Sequence, residues 1–116
     1  MNKTEQSPGL PIYGESRLAN DPPLRAVRAF EAIARLGSVT LAAQELDISP
    51  SAVSHQLKVL EGFLQMPLTE RQGRRLVLSQ HGREYYRSIR AAFNVLRQAT
   101  EHLAEQAQTR QVTISL

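Results

Sequence analysis

Cysteine is absent from this chain of 116 residues, which excludes disulfide bonds and any metal site built on thiolates. The sequence has no apolar run long enough to cross a membrane. Its first residues lack the basic-then-apolar pattern of a secretion signal. There is no internal repeat and no glycine-rich phosphate loop. These absences favour a soluble cytoplasmic protein that needs no cofactor.

Acidic residues are scarce in the middle of the chain. Residues 22–90 hold ten Lys or Arg and six Asp or Glu, a formal charge of +4. Residues 1–21 carry −1 and residues 91–116 carry zero, which gives +3 for the whole chain. A basic middle segment fits an anionic partner such as nucleic acid.

No constellation of catalytic residues emerges. The three histidines, His55, His81 and His102, are far apart in the sequence and have no cysteine beside them, which argues against a metal site. Ser54 and His55 are neighbours, but no acid accompanies them to orient the imidazole as a catalytic triad requires. The sequence therefore predicts a binding protein, not an enzyme.

The N-terminal segment, residues 1–21, is polar, contains two Pro and two Gly, and is predicted to be a flexible arm. A first helix is expected to follow, with Asp21 as its N-cap, proline in its first turn and Gly37 at its end. Its predicted buried face consists of Leu24, Val27, Phe30, Ile33 and Ala34.

Two further short helices with a tight turn between them are predicted after Gly37. Ser38 can cap the second helix, Ser49 can cap the third, and Pro50 suits the first helical position. The apolar positions of the second helix are Leu41, Ala42, Ala43 and Leu46. Those of the third are Val53, Leu57, Leu60 and Leu64, at helical spacing. The third helix is expected to end near Gln65, before Pro67.

The exposed face of the third helix carries short polar side chains and one cation. They are Ser51, Ser54, His55 and Lys58. An ordinary amphipathic surface helix usually mixes Glu and Lys on that face, whereas hydroxyls, an imidazole and an ammonium suit a DNA major groove.

A β-hairpin wing is predicted next, with strands at residues 68–71 and 75–78 around a Gln72–Gly73 tip. Arg71, Arg74 and Arg75 cluster at that tip, where they could meet phosphates or a minor groove. The alternative is a solvated charged loop, but the preceding helices favour DNA.

A long helix is predicted from about Gln80 to Gln108, capped by Ser79. It carries a seam of coiled-coil type that this small domain cannot bury, so we expect a second copy of the chain to cover it. The residues assigned to this dimerisation seam are Ile89, Ala92, Phe93, Leu96, Ala99 and Leu103. Residues 111–116 alternate like a strand, and residues 109–116 are expected to begin a further domain that the chain lacks.

The predicted fold class is therefore mainly α: a winged helix-turn-helix at residues 22–79 with a short β-hairpin wing, followed by a long dimerisation helix at residues 80–108. This order of elements resembles the N-terminal DNA-binding domain of LysR-type transcriptional regulators over residues 24–83. The matching motifs are LRAVRAFEAIARLGSVTLAAQEL (24–46), SPSAVSHQLKVLE (49–61) and the stretch from Leu68 to Gly82. The AVSHQ run resembles the corresponding motif in the subgroup that contains the glycine-cleavage activator and the β-lactamase regulator.

The resemblance implies a homodimer that binds an inverted repeat in double-stranded DNA. Hydroxyls at the start of the second helix would meet phosphate, the third helix would read base edges, and the wing arginines would hold the backbone or minor groove. The residues that take these roles are Ser38, Thr40, Pro50, Ser51, Ser54, His55, Lys58, Arg71, Arg74 and Arg75. Glu61 would be structural. A longer chain could form tetramers, and a small-molecule effector would act only through the absent domain.

Three positions depart from the family pattern. The family usually has Gly at the position of Gln65. It usually has an aromatic residue, commonly Phe, at the position of Thr69, so the packing of the wing is expected to differ in this chain. The family often has Arg in place of His55, and the shorter imidazole argues against a bidentate guanine contact.

Two alternatives stay open at this point. One is a helical dimer that acts as a protein-interaction module without specific DNA binding; salt-dependent retention on duplex DNA would discriminate the two functions. The other is a free-standing winged-helix repressor, which would have no terminal strand of a further domain.

Overall fold

The computed structural model describes the backbone of residues 21–115 and the side chains of residues 21–110. Three helices come first: α1 (Leu24–Leu36), α2 (Val39–Leu46) and α3 (Pro50–Leu64). A hairpin of β1 (Thr69–Gln72) and β2 (Arg75–Leu78) follows, and then the long helix α4 (Gln80–Ser115). This confirms the predicted fold class. The predicted arm, except Asp21, lies outside the described residues.

The core lies where α1 packs across α2 and α3. Phe30 of α1, Val53 and Leu60 of α3, and Leu68 before the wing are its largest fully buried side chains. Ala42 and Ala43 are also buried, and their small side chains let α2 approach its neighbours closely.

Two apolar residues that the sequence assigned to helix interfaces are exposed. Leu24 is 59% exposed, because it is the first residue of α1 and the buried face begins with Ala26 and Val27. Leu41 of α2 is 47% exposed, since Ala42 and Ala43 occupy the side of that helix turned to the core.

The serine caps form as predicted, but the expected cap of α1 does not. The hydroxyls of Ser38 and Ser49 accept the backbone N–H groups of Leu41 and Ala52, each at 3.1 Å. The N-cap of α1 is Pro23, without any side-chain cap. Asp21 is too far from the first turn, because Pro23 is extended (φ −61°, ψ 126°) and separates it from Leu24.

All three short helices end in a left-handed residue. Gly37 ends α1 as predicted, with φ 69°, and Asp47 and Gln65 end α2 and α3 with φ 58° and 56°. The left-handed region favours glycine because it has no Cβ. Gln65 therefore has a left-handed backbone conformation. That conformation explains why the family that this chain resembles usually has Gly at this position.

The backbone of Leu68 joins α3, the wing and α4. Its carbonyl accepts the N–H of Ser79 at 3.0 Å. The Ser79 hydroxyl donates to the Pro67 carbonyl and accepts the N–H of Gly82, each at 3.0 Å, which confirms Ser79 as the cap of α4. A Cβ on Gly82 would lie 2.0 Å from the Leu68 carbonyl oxygen, so only glycine fits there.

The long helix α4 continues to Ser115, beyond the predicted end near Gln108, and the strand predicted for residues 111–116 is wrong for residues 111–115. The alternation of apolar residues did not decide the structure, because the strands of the described residues, β1 and β2, pair with each other and not with this segment. A preformed helix, by contrast, gains one backbone hydrogen bond for each added residue. Leu116 lies outside the described residues.

Gly82→Ala is expected to destabilise the domain by about 1–3 kcal/mol, because the new methyl group can be accommodated only if the backbone of Leu68 moves. Gly62→Ala is the matched control: it also lies in a helix, and its Cβ would meet nothing within 4 Å. That variant should gain roughly 0.5–1 kcal/mol. Urea unfolding followed by circular dichroism measures both, and equal stabilities of the two variants would contradict the steric account.

Candidate nucleic-acid interface

The exposed face of α3 carries most of the residues predicted to read bases. Ser49 caps this helix, Pro50 occupies its first position, and the side chains of Ser51, His55 and Lys58 are exposed. Ser54 is half-buried on the same side. The Ser51 hydroxyl lies 3.1 Å from the hydroxyl of Ser49, so both are held at the N-terminus of the helix. The face offers short donors and acceptors on a 15-residue helix whose other side is core.

The N-terminus of α2 provides a second group of donors. Ser38 is half-buried and Thr40 is exposed in the first turn. The Ser38 oxygen already accepts the N–H of Leu41, so its own O–H is left to donate outward. Together with the uncapped N–H groups of the first turn and the positive end of the helix dipole, these hydroxyls form a surface suited to a phosphate.

The wing carries the predicted arginines at its tip. Its antiparallel register pairs Thr69 with Leu78 at the base and Gln72 with Arg75 at the tip, where Gly73 has φ 64°. Arg71, Arg74 and Arg75 are all exposed, and Arg71 donates to the carbonyl of Arg74 at 3.5 Å. None of the three has an ion-pair partner among residues 21–110. Their charges are therefore available to an anion outside the chain.

Two acids near the domain surface instead share one guanidinium. Arg35 of α1 binds Glu31 in its own helix, with Nε to Oε2 at 2.8 Å, and also forms an ion pair with Glu45 of α2. The hydrogen bonds to Glu45 and Glu31 raise the pKa of Arg35, and the guanidinium in turn lowers the pKa of Glu45. The triad ties α1 to α2 and retains a formal charge of −1.

The predicted seam of α4 is divided between two surroundings. Ile89 and Phe93 are half-buried against the domain core, and the guanidinium of Arg28 lies 5.4 Å from the centroid of the Phe93 ring. The remaining seam residues are exposed. With Val95, they form what we call the apolar stripe: Ala92, Val95, Leu96, Ala99 and Leu103.

Val95 was not assigned to the predicted seam, because the repeat chosen for that seam continues from Ala92 to Leu96 and omits it. It is 65% exposed, as much as Leu103 at 66%. Its position three residues after Ala92 and four before Ala99 was the available signal. The stripe is therefore wider than the predicted seam.

Glu61 pairs within the domain, as expected, and it does so with the start of the wing. Its Oε2 atom accepts the N–H of Leu68 at 2.8 Å, the N–H of Thr69 at 3.3 Å and the hydroxyl of Thr69 at 3.3 Å. Sequence reasoning did not find the hydroxyl contact. The sequence feature that could have indicated it is the hydroxyl of Thr69, at a position where the family that this chain resembles usually has an aromatic side chain.

The part of the chain that the structure describes contains no cluster of three His, Cys, Asp or Glu residues placed to hold a metal ion. Within the same residues, no helix is both long and apolar enough to cross a membrane.

The chain is similar to proteins that regulate transcription. Residues 24–83 match the family model of the bacterial regulatory helix-turn-helix protein, lysR family. The glycine cleavage system transcriptional activator of Escherichia coli (strain K12) is 43% identical over 95 residues, which are 82% of this chain and 31% of that protein. The RuBisCO operon transcriptional regulator of Allochromatium vinosum is 45% identical over 80 residues, 69% of this chain and 26% of that protein.

Solved structures share the fold. The BenM DNA-binding domain in complex with benA site 1 DNA has a TM-score of 0.67 and 28% identity, and the similarity covers 73% of this chain and 96% of that one. Corynebacterium glutamicum OxyR (C206 mutant) has a TM-score of 0.65 and 27% identity over 71% of this chain and 26% of that one. The chain spans about a third of the length of the curated relatives it matches.

Proposed function

The chain belongs to the lysR family of bacterial regulatory helix-turn-helix proteins, and we propose that it binds a specific site in double-stranded DNA as a homodimer to regulate transcription. In this proposal α3 enters the major groove, the N-terminus of α2 holds a phosphate, and the wing contacts the backbone or the minor groove. Two copies joined through the apolar stripe present their recognition helices to an inverted repeat.

The observation that carries the proposal is the distribution of polar groups in the winged helix-turn-helix. Short donors cover the exposed face of α3, and the wing arginines have no acidic partner in the described part of the chain. A surface of uncompensated cations around a helix of small polar side chains suits a regular polyanion with readable base edges.

The alternative, a helical dimer that serves only as a protein-interaction module, explains the apolar stripe but not the wing arginines or the recognition face. The named relatives of this chain are transcriptional regulators, which also favours DNA.

Duplex binding is the direct test of this function. Because several phosphate contacts release condensed counterions, log affinity should fall linearly with log salt, by about 0.9 per neutralised phosphate. The measurement is fluorescence anisotropy on duplexes recovered by selection from a random pool, between low and moderate salt. The recovered sites should be inverted repeats. Affinity that is independent of both salt and sequence would refute the proposal.

Variants of the wing and of α3 should change binding in different ways. Arg74→Ala and Arg75→Ala should weaken binding to every duplex and lower the salt slope by about one per lost phosphate contact. Ser54→Ala and His55→Ala should instead change which sites are selected, because a well-formed base contact contributes roughly 1–3 kcal/mol of discrimination. Site selection with each variant measures this, and unchanged preferences for both α3 variants would remove these side chains from base readout.

Dimerisation through the apolar stripe should fail in the double variant Leu96→Asp/Leu103→Asp, because a carboxylate in an apolar helix interface must be desolvated. Analytical ultracentrifugation should show monomers. Affinity for the full site should fall sharply, since the two half-sites would no longer be bound by one linked molecule.

The matched control is Gln98→Asp/Gln108→Asp, which adds the same charge at exposed positions of α4 outside the stripe. It should remain dimeric. If the leucine variant also stays dimeric, or binds the full site as a monomer with parental affinity, the dimer contact lies elsewhere.

A further inference from the structure

The wing is attached to the recognition helix through one carboxylate oxygen. Glu61 Oε2 accepts three hydrogen bonds, from the N–H of Leu68 (2.8 Å), the N–H of Thr69 (3.3 Å) and the hydroxyl of Thr69 (3.3 Å). Glu61 and Thr69 are both half-buried, so these contacts are partly shielded from water. The contact with the Leu68 N–H is the short one, and the two contacts with Thr69 are longer hydrogen bonds to the same charged acceptor.

Thr69 contributes the only side-chain donor among these three contacts. Leu68 donates only its backbone N–H. The backbone N–H of residue 69 would be kept by any residue except proline. Many relatives, by the family resemblance, would fill this position with an aromatic ring, which can pack but cannot donate to the carboxylate. In this chain a hydroxyl donor replaces that packing, so the identity of residue 69 affects how firmly the wing is held.

Both ends of this contact are rigidly connected to residues proposed to touch DNA. Glu61 lies in α3, about two helical turns beyond Ser54 and His55 on the same 15-residue helix. Thr69 begins β1 and pairs with Leu78, while Arg75 pairs with Gln72 at the tip. Three strand residues separate base from tip, roughly 10 Å, so a rotation of about 10° at the base would move the arginines by roughly 2 Å.

We propose that Thr69 is a positioning residue: its hydrogen bond to Glu61 sets the angle between the wing and the recognition helix, so that the wing arginines reach the backbone while α3 is in the major groove. Thr69 itself need not touch DNA. This inference rests on the proposed DNA-binding function and adds a residue that determines the geometry of binding.

The test is a set of variants at position 69 in the full 116-residue chain. Thr69→Val keeps the size, the β-branching and the strand preference of threonine but removes the hydroxyl. Thr69→Ser keeps the hydroxyl and removes the methyl group. Each is made in the parent and in an Arg74→Ala/Arg75→Ala background. Anisotropy titrations on the selected site give the affinity and its salt slope, and circular dichroism confirms that each variant is folded at the assay temperature.

Thr69→Val should weaken binding roughly three- to tenfold in the parent, the range expected for one hydrogen bond. It should also lower the salt slope, because wing contacts to phosphate are lost. Thr69→Ser should bind as the parent does. In the background without Arg74 and Arg75, Thr69→Val should have a clearly smaller effect, because Arg71 is then the one wing arginine left to be misplaced.

Two results would overturn the proposal while leaving DNA binding intact: parental affinity in Thr69→Val, or the same fold-loss in both backgrounds. The second result would mean that Thr69 acts on the whole domain and not through the wing. A parent chain whose duplex binding is independent of salt and sequence would overturn the proposed function together with this inference.

Discussion

The short connection from α3 to the wing depends on the backbone of Leu68, which is tied on both sides. Its N–H is held by the Glu61 carboxylate and its carbonyl by the N–H of Ser79, while its side chain is buried in the core. Position 82 accepts only glycine, because the Leu68 carbonyl occupies the space that a side chain would need. Three elements that carry different proposed functions therefore meet at one residue: α3 for reading bases, the wing for the backbone, and α4 for pairing two copies. These hydrogen bonds at Leu68 help to fix their relative orientation.

The domain is small, and helix caps and ion pairs add to the buried core in holding its helices together. Ser38 and Ser49 satisfy the first N–H groups of α2 and α3, and left-handed residues close all three short helices. The buried alanines of α2 let that helix lie close to α1 and α3, and the Arg35 triad joins α1 to α2 at the surface. These contacts hold the exposed face of α3 in place without occupying the side chains on it, which is what a rigid binding surface requires.

Three acids of the domain have partners within it, whereas the wing arginines have no ion-pair partner among residues 21–110. Glu31 and Glu45 pair with Arg35, and Oε2 of Glu61 accepts three hydrogen bonds, from Leu68 and Thr69. The wing arginines find no such partner in the described residues. By holding the start of the wing, Glu61 supports the arginines that are proposed to attract phosphate. On α4, Ile89 and Phe93 pack against the domain, whereas the apolar stripe is exposed.

The sequence alone was sufficient for features that depend on neighbouring residues. The helical spacing of Val53, Leu57 and Leu60 and the serine caps are local, so they predicted the three helices correctly. The wing was also predicted, but its turn lies at residues 73–74, one residue later than expected, because Gln72 belongs to β1 and pairs with Arg75. Features that depend on distant partners required the tertiary structure. Among the described residues, Leu24 is left largely uncovered despite its apolar side chain. Residues 111–115 alternate like a strand, but the described strands β1 and β2 pair with each other. The contact between Thr69 and Glu61 likewise exists only because folding brings a residue of the wing to the end of α3, and hydrogen bonds between distant residues leave no periodic trace in a sequence.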